Sequence, residues 1–175
     1  MTVHIREATV ADAPVVAELG LHFAAVYGGD YIAPTREALE GFAAVLVEHP
    51  ACTILVAVDD VDAGALVGFI ALAGGLNPFD GANLLVEELA WWVEPTARRA
   101  GQVGARLLRA AEDWARAHGL AVLKMVAPHQ SRVARFYERY GYVPVETSYT
   151  KRLDEVHRPP VRRRQGPEEA GPDDR

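Results

Sequence analysis

Apolar residues recur with two different periods over the first 154 residues, and this pattern predicts an α/β domain. Runs in which apolar positions alternate or are continuous predict strands, whereas apolar positions three and four apart predict helices. The predicted strands are VHIREA, CTILVAVDD, GALVGFIALA, NLLVEELAWWV, AVLKMVA and VPVETSYTKRL, and the predicted helices are TVADAPVVAELGLHFAAVY, TREALEGFAAVLVEH, the segment from Gly101 to His118, and SRVARFYERY. The order β-α-α-β-β-β-α-β-α-β predicts a mixed sheet with helices on both faces.

Residue types at the ends of these segments agree with their predicted bounds. Thr35 precedes the second helix, where its hydroxyl is suited to accept a hydrogen bond from the first turn, and Pro14 lies near the start of the first helix. Gly119 and Gly141 follow the last two helices, as glycines commonly do at helix C-termini.

The composition changes at the C-terminus. Residues 155–175 are rich in proline, arginine and acidic residues and almost lack apolar ones, so they cannot bury enough surface to become ordered. We therefore expect a single domain over residues 1–154 and a disordered tail over 155–175. A basic docking segment around Arg162, Arg163 and Arg164 is the alternative interpretation of the tail.

The formal net charge of -6 conceals an uneven distribution. Residues 1–90 carry thirteen acidic and two basic side chains, whereas residues 91–154 carry six acidic and eleven basic ones. A polyanionic ligand would favour the later part and a cationic ligand the earlier part. An uneven spread of charge over solvated faces is the simpler alternative.

Several classes of protein are disfavoured by composition. The net negative charge, and the lack of a basic face with interleaved aromatic residues, argue against nucleic-acid binding. The six histidines and the single cysteine, Cys52, show no metal-ligand spacing. We expect no apolar run to reach the roughly 18 residues of a membrane span, and the first residues lack a signal peptide's apolar core, so we expect a cytoplasmic protein without membrane contact.

The junction between the fourth strand and the third helix carries the first chemical signal. Two arginines, Arg98 and Arg99, and a glycine-spaced loop precede a long helix, whose N-terminal N–H groups and dipole favour an anion such as a pyrophosphate. The spacing matches neither the G-x-G-x-x-G dinucleotide motif nor a phosphate-binding loop that ends in G-K-S or G-K-T. Glycines that only ease helix entry, beside solvated arginines, are the alternative.

The segments VEPTARRAGQVGARLL and SRVARFYERYGY resemble the acyl-CoA-binding segment and the C-terminal helix of the GNAT superfamily of N-acetyltransferases, and the element order agrees over residues 2–153. The resemblance implies a mostly antiparallel mixed sheet of six to seven strands, flanked by about four helices and splayed between strands 4 and 5. It also implies acetyl-CoA as cosubstrate, and the spacing of the histidines and of Cys52 indicates no metal. The cofactor-binding residues that it implies are Trp91, Trp92, Val93, Arg98, Arg99, Ala100, Gly101, Gln102, Val103, Gly104 and Gln130.

The sequence departs from the superfamily pattern in two places. When the motif is aligned from Val93, Arg98 and Gly101 occupy its usual Arg and first Gly. When it is aligned back from the helix, Arg99 and Gly104 fit the Arg and the second small position, and Gln102 replaces the first Gly. The loop is therefore one residue longer than usual. Gln130 stands where relatives often have Asn.

Acyl transfer to an amine needs a base for the amine and an acid for the departing thiolate. Tyr137 is the candidate acid because a phenol holds its proton at neutral pH, and the resemblance places a catalytic tyrosine there in many members. The spacing of Val133, Phe136, Tyr137 and Tyr140 is equally typical of an apolar helix stripe.

Glu87 and Glu88 are the candidate bases, because adjacent carboxylates in an apolar strand are unusual. Simple alternation predicts that Glu87 shares a face with Trp91 and that Glu88 shares the other face with Trp92. The resemblance favours Glu87, which lies six residues before the last Val of the strand. Each carboxylate also has a structural alternative, an edge position or an ion pair.

The acceptor is expected between the first two helices. The loop HFAAVYGGDYIAP contains Tyr27, Asp30 and Tyr31, which suit a cationic amine. A loop that merely connects the helices is the alternative.

Three functions follow from the sequence. The first is an acetyl-CoA-dependent N-acetyltransferase for a small-molecule, peptide or protein amine. The second is a GNAT-like acyl-CoA-binding module without turnover, and the third is an interaction protein that works through its basic tail. The sequence leaves the acceptor and a homodimeric state open.

Overall fold

The computed structural model describes residues 2–28, 33–62, 64–77, 80–98, 102–127 and 132–150. The strands are β1 Val3–Glu7, β2 Cys52–Asp59, β3 Leu66–Asn77, β4 Asp80–Val93 and β5 Val122–Lys124. The helices are α1 Ala13–Tyr27, which follows a 3-10 turn at Val10–Asp12, then α2 Arg36–Glu48, α3 Pro95–Arg98, α4 Val103–Ala117 and α5 Arg132–Arg139. Residues up to Val145 form one compact unit, and a second unit begins at Glu146.

The sheet is mixed, as predicted, and its strands lie in the order β1-β2-β3-β4-β5. The first three pairings are antiparallel, and β4 pairs with β5 in parallel. The parallel ladder has its last pair at Glu87 and Lys124, although β4 continues to Val93. In the part of the chain that the structure describes, the C-terminal part of β4 therefore has no strand partner on the β5 side, and the expected separation of strands 4 and 5 begins beyond Glu87.

The core consists of two apolar layers, one on each face of the sheet. On one face, Leu107 and Ala111 of α4 pack with Ile70 and Val86. On the other face, α1 and α2 pack against β2 and β3, with Val16 as a central residue. The strands β2 and β3 are buried on both faces, which explains their nearly continuous apolar runs.

The predicted helix signals are confirmed. The Thr35 hydroxyl accepts a hydrogen bond from the backbone N–H of Ala38 at 3.2 Å at the start of α2. Gly119 and Gly141, which follow α4 and α5, have φ angles of 70° and 86°. This left-handed conformation strains other residues, so glycine suits both helix ends.

Two details of the predicted architecture are not found. The described chain has five strands and five helices, since PTAR forms the short α3 and the predicted last strand is not present over residues 142–150. Val143 and Val145 are 78% and 82% exposed, so their alternating pattern is not covered by a neighbouring layer. An alternating pattern favours a strand only when one of its faces is buried. Residues 151–153 and the predicted tail 155–175 lie outside the described residues.

Residues 10–27 pass a length and composition test for a membrane span, with a mean hydropathy of 1.3. The expectation that no such run exists is therefore wrong by this measure. The test is weak, because a core helix of a folded domain also passes it. Here Ala13, Val16 and Leu19 of α1 are buried against the sheet.

Candidate active site

A β-bulge in β4 sets the direction of the site's side chains. Ala71 pairs with Ala90, but the next residue of β3, Leu72, pairs with Glu88, so Leu89 is an extra residue in β4. The bulge reverses the alternation on either side of it. Simple alternation was therefore wrong: Glu88 shares a face with Trp91, toward α4, and Glu87 lies on the opposite face.

Glu88 and Tyr137 meet where β4 and β5 separate. Both side chains are buried, at 7% and 5% exposure. The Tyr137 hydroxyl donates a hydrogen bond to Oε2 of Glu88 at 3.0 Å and lies 3.2 Å from the carbonyl oxygen of Val126, just beyond β5. The backbone N–H of Val126 donates to the same carboxylate oxygen at 3.0 Å. The three groups thus connect β4, the chain after β5, and α5.

The buried environment changes the proton affinity of both groups. Burial raises the pKa of Glu88 to about 7, although the hydrogen bonds from Val126 and Tyr137 oppose the shift. Burial also raises the pKa of Tyr137, and the nearby Glu88 charge raises it further. Near neutral pH, Glu88 is able to gain or lose a proton while Tyr137 keeps its own.

Aromatic packing fixes the position of Tyr137. Its ring stacks on Trp91, with centroids 5.7 Å apart, and Phe136 also contacts Trp91 at 5.7 Å. A Cβ atom at Gly104 would lie only 3.2 Å from Cζ2 of Trp91, so the first turn of α4 approaches the indole closely. The Tyr137 ring is therefore part of the apolar stripe of α5, and its hydroxyl makes a polar contact with Glu88.

Glu87 has different surroundings. Its Oε1 lies 3.1 Å from Nζ of Lys124, the residue that it faces across the parallel ladder. The Glu87 side chain is 43% exposed. The structure thus separates the two adjacent carboxylates into an ion-paired, accessible Glu87 and a buried Glu88 in contact with Tyr137.

The predicted cofactor residues that are described surround the end of β4. Gln102 is the N-cap of α4, and Val103 and Gly104 form its first turn. The Nε of Arg98 donates to the carbonyl oxygen of Val93 at 2.7 Å, and its guanidinium lies 4.4 Å from the Trp92 ring. Arg98 is thus held against the strand end. Four predicted cofactor residues lie outside the described residues, namely Arg99, Ala100, Gly101 and Gln130.

Trp92 points toward α1, and its indole N–H donates to Glu94 at 3.2 Å. Tyr27, at the end of α1, contacts Trp92 edge-on at 6.3 Å, and Asp30 and Tyr31 lie outside the described residues. No sequence pattern predicts that Nδ1 of His22 lies 2.6 Å from Oε1 of Glu94, because 72 residues separate them. The backbone of Val126 was also missed, since no side-chain pattern reports a backbone donor.

No group of three or more histidine, cysteine or acidic side chains suited to a metal ion occurs in the described part of the chain. The polar groups that the structure brings together at the split are those of Glu88, Tyr137 and Val126. The Glu88 carboxyl and the Tyr137 hydroxyl are suited to moving protons, and the Val126 N–H holds the carboxylate in place.

We expect the stability contributed by Glu88 to fall as the pH rises. The folded state raises the pKa of Glu88 from 4.5 to about 7, so it binds more protons than the unfolded chain between these values. The contribution is complete below pH 4.5 and is lost as the pH passes about 7, a change on the order of 3 kcal/mol. Glu88→Gln cannot titrate, so its melting temperature should rise relative to wild type between pH 4.5 and 8.

Glu87→Gln is the matched control, because it makes the same chemical change at the neighbouring exposed position. Thermal unfolding of the three proteins across this pH range measures the effect. A constant difference between wild type and Glu88→Gln would contradict a raised pKa at Glu88.

Comparisons with known proteins agree with this architecture. The sequence model of the acetyltransferase (GNAT) family matches residues 21–142, more than half of the chain. The chain is 30% identical over 141 residues to the uncharacterized N-acetyltransferase YhfO of Bacillus subtilis (strain 168), a match that covers 79% of this chain and 89% of YhfO.

Solved structures share the fold. The ribosomal-protein-alanine N-acetyltransferase from Brucella melitensis biovar Abortus 2308 superimposes with a TM-score of 0.66 at 23% identity, covering 87% of this chain and 100% of that one. A probable acetyltransferase superimposes with a TM-score of 0.71 at 21% identity, covering 87% and 99%. Since the family model and the curated relative match most of the chain, it belongs to the GNAT family of acetyl-CoA-dependent acetyltransferases.

Proposed function

We propose that the protein transfers the acetyl group of acetyl-CoA to a primary amine at the separation of β4 and β5, with Tyr137 as general acid and Glu88 as general base. The observation that carries the proposal is the 3.0 Å contact between these two buried groups, one with a pKa of about 7. An acid and a base in direct contact can move a proton from the amine to the thiolate without passing it through solvent.

The two groups have complementary tasks. The amine attacks in its neutral form, after a cationic acceptor has lost one proton to solvent. The ionised Glu88 accepts a second proton from the amine as the nitrogen bonds to the acetyl carbon, and Tyr137 gives its proton to the sulfur as the carbon–sulfur bond breaks. Glu88 then returns a proton to the Tyr137 phenolate through their hydrogen bond. The products are the N-acetylated amine and the free thiol, and both side chains regain their starting states.

The residues at the start of α4 suit the phosphates of acetyl-CoA. The first N–H groups of an α-helix have no partner within the helix, and the dipole adds positive potential there. The side chain of the cap residue Gln102 makes no capping hydrogen bond, so it leaves the first N–H groups of this helix to a ligand. Arg99, Ala100, Gly101 and Gln130 stay predicted ligands.

The uneven charge of the chain supports a cationic class of acceptor. The acidic first half of the chain favours a cationic amine, whether on a small molecule, a peptide or a protein. Tyr27 borders the acceptor side on α1, and Asp30 and Tyr31 stay predicted there. The cytoplasmic location and the disordered tail also stay predictions from the sequence, and a homodimeric state stays open.

Turnover tests the proposal against an acyl-CoA-binding module without activity. Wild-type protein with acetyl-CoA and a panel of primary amines should release free CoA thiol, which a thiol-reactive dye detects. Binding of acetyl-CoA without thiol release for any amine class in the panel would favour the binding module.

Tyr137→Phe removes the acid and keeps the ring that stacks on Trp91. We expect kcat to fall by about 100-fold or more, because general acid–base catalysis typically contributes this much, while the Kd for acetyl-CoA changes little. Tyr142→Phe is the matched control, since it removes a hydroxyl that donates to Glu112 of α4 and keeps the ring that packs against Tyr137. An unchanged kcat in Tyr137→Phe would remove Tyr137 from the mechanism.

The identity of the base is decided by comparing Glu88→Gln with Glu87→Gln. If Glu88 is the base, wild-type kcat/KM rises with pH up to about 7, because only ionised Glu88 accepts a proton. Glu88→Gln should lose this rise and about 100-fold in activity. Glu87→Gln should keep the rise. The reverse outcome would assign the base to Glu87, the residue that the family resemblance favours.

A further inference from the structure

The outward face of α5 carries three arginines that the proposed reaction does not use. Arg132, Arg135 and Arg139 are exposed and occupy positions i, i+3 and i+7 of the helix. With about 3.6 residues per turn and about 1.5 Å of rise per residue, this spacing places them along one side of α5, over about 10 Å and opposite the buried Tyr137. These three residues form an arginine stripe that faces away from the separation of β4 and β5.

The arginine stripe has no carboxylate partner in the described part of the chain. Arg116 of the neighbouring α4 differs, because its guanidinium pairs with both Glu112 and Asp113. Among the ion pairs of the described residues, none includes an arginine of the stripe. Like charges three and four positions apart destabilise a helix, so an anionic partner would relieve a repulsion that the free protein retains.

Aromatic rings hold two guanidinium groups on this surface. The guanidinium of Arg139 lies 5.9 Å from the ring centre of Phe136. The guanidinium of Arg109, an exposed residue of α4, lies 6.0 Å from the ring centre of Tyr140. A guanidinium over a ring face keeps the N–H groups at its edge for a carboxylate. Arg109 therefore extends the positive surface from α5 onto α4.

The spacing of the stripe indicates an acidic helix as its partner. Carboxylates on one side of a helix also recur at i, i+3 and i+7, so such a helix laid along α5 can bring one carboxylate to each arginine. The planar guanidinium suits this contact, since it donates two parallel N–H bonds to one carboxylate. Glu138, which lines the same surface depression, disfavours a chain of phosphates, and so does the net charge of -6.

We propose that the arginine stripe of α5 docks an acidic helical segment of a partner protein. The inference goes beyond the proposed function and does not depend on it, because the stripe and Tyr137 lie on opposite sides of the helix. The partner's carboxylates replace the repulsion between neighbouring arginines with ion pairs. One helix thus supplies the proposed acid on its buried side and a protein contact on its exposed side.

Two fluorescein-labelled peptides test the stripe on the full chain. Both are alanine-rich and about 20 residues long, which allows a helix in water, and both carry the same number of glutamates. In the one-sided peptide the glutamates follow i, i+3 and i+7 spacing, and in the other they are spread around the helix. Fluorescence anisotropy at low salt should give a Kd about tenfold lower for the one-sided peptide, because it reaches all three arginines, and added salt should weaken it.

Arg135→Gln removes the central charge of the stripe. We expect the Kd for the one-sided peptide to rise about three- to fivefold, the upper range for one exposed ion pair. Replacement of all three stripe arginines by glutamine should raise it about 30-fold, while thiol release from acetyl-CoA with a small amine stays unchanged. The melting temperatures of both variants should hold or rise at low salt, because like-charge repulsion is removed.

Arg116→Gln is the matched control. It removes the same charge from an exposed arginine of the neighbouring helix, whose guanidinium is already paired. Its Kd for the one-sided peptide should stay within about twofold of the wild-type value, since only the longer-range field changes. An equal loss of affinity in Arg116→Gln and Arg135→Gln would show attraction to overall charge alone and would overturn the docking site.

Competition separates the other ligands that a basic surface can take. Equal binding of the two peptides, or binding of neither, would contradict the docking of a helix. Tighter binding of a single-stranded RNA oligonucleotide of equal charge would assign the stripe to nucleic acid instead. Displacement of the peptide by CoA, with weaker CoA binding in the triple variant, would assign it to the phosphates of the cosubstrate. A wild type that binds the one-sided peptide but releases no thiol would remove the proposed function and leave this inference standing.

Discussion

The hydrogen bond between Tyr137 and the buried carboxylate of Glu88 connects the three parts of the chain that make the site. Glu88 comes from β4, Tyr137 from α5, and Val126 from the segment that follows β5. The Glu88 carboxylate lies where the two strands separate, and its Oε2 accepts hydrogen bonds from Tyr137 and Val126 there. The strands therefore separate without leaving this oxygen unpaired. The same burial that raises the pKa of Glu88 also makes it a usable base near neutral pH.

The bulge at Leu89 decides which carboxylate enters this contact. If β4 kept all its residues and alternated regularly without a bulge, Glu88 would face α1 and Glu87 would face α4, so Glu88 would not share a face with Trp91 and Tyr137. The bulge thus brings the acid, the base and the stacked indole to the same face. It also leaves Glu87 beside Lys124, where solvent screens its charge.

The sequence predicted the order of most elements, because long apolar periods and terminal residues such as Thr35 and Gly119 are local signals. It could not locate the bulge, since the residues from Leu89 to Trp92 are all apolar and an inserted position leaves no visible break in the pattern. Nor could it pair Glu88 with Tyr137, which are 49 residues apart. The strand predicted from Val143 is not found for a related reason. An alternating pattern is a local property of the sequence and does not show whether another layer of the fold covers one face of the segment.

A thermal-shift titration with acetyl-CoA tests the central claim most directly, with NAD and ATP as controls. At about 100 times its Kd, a ligand stabilises the folded state by roughly 2.7 kcal/mol, which should raise the melting temperature by about 5 to 10 °C. We predict this rise with acetyl-CoA and no comparable rise with NAD or ATP. An unchanged melting temperature at millimolar acetyl-CoA would contradict an acyl-CoA site between β4 and β5.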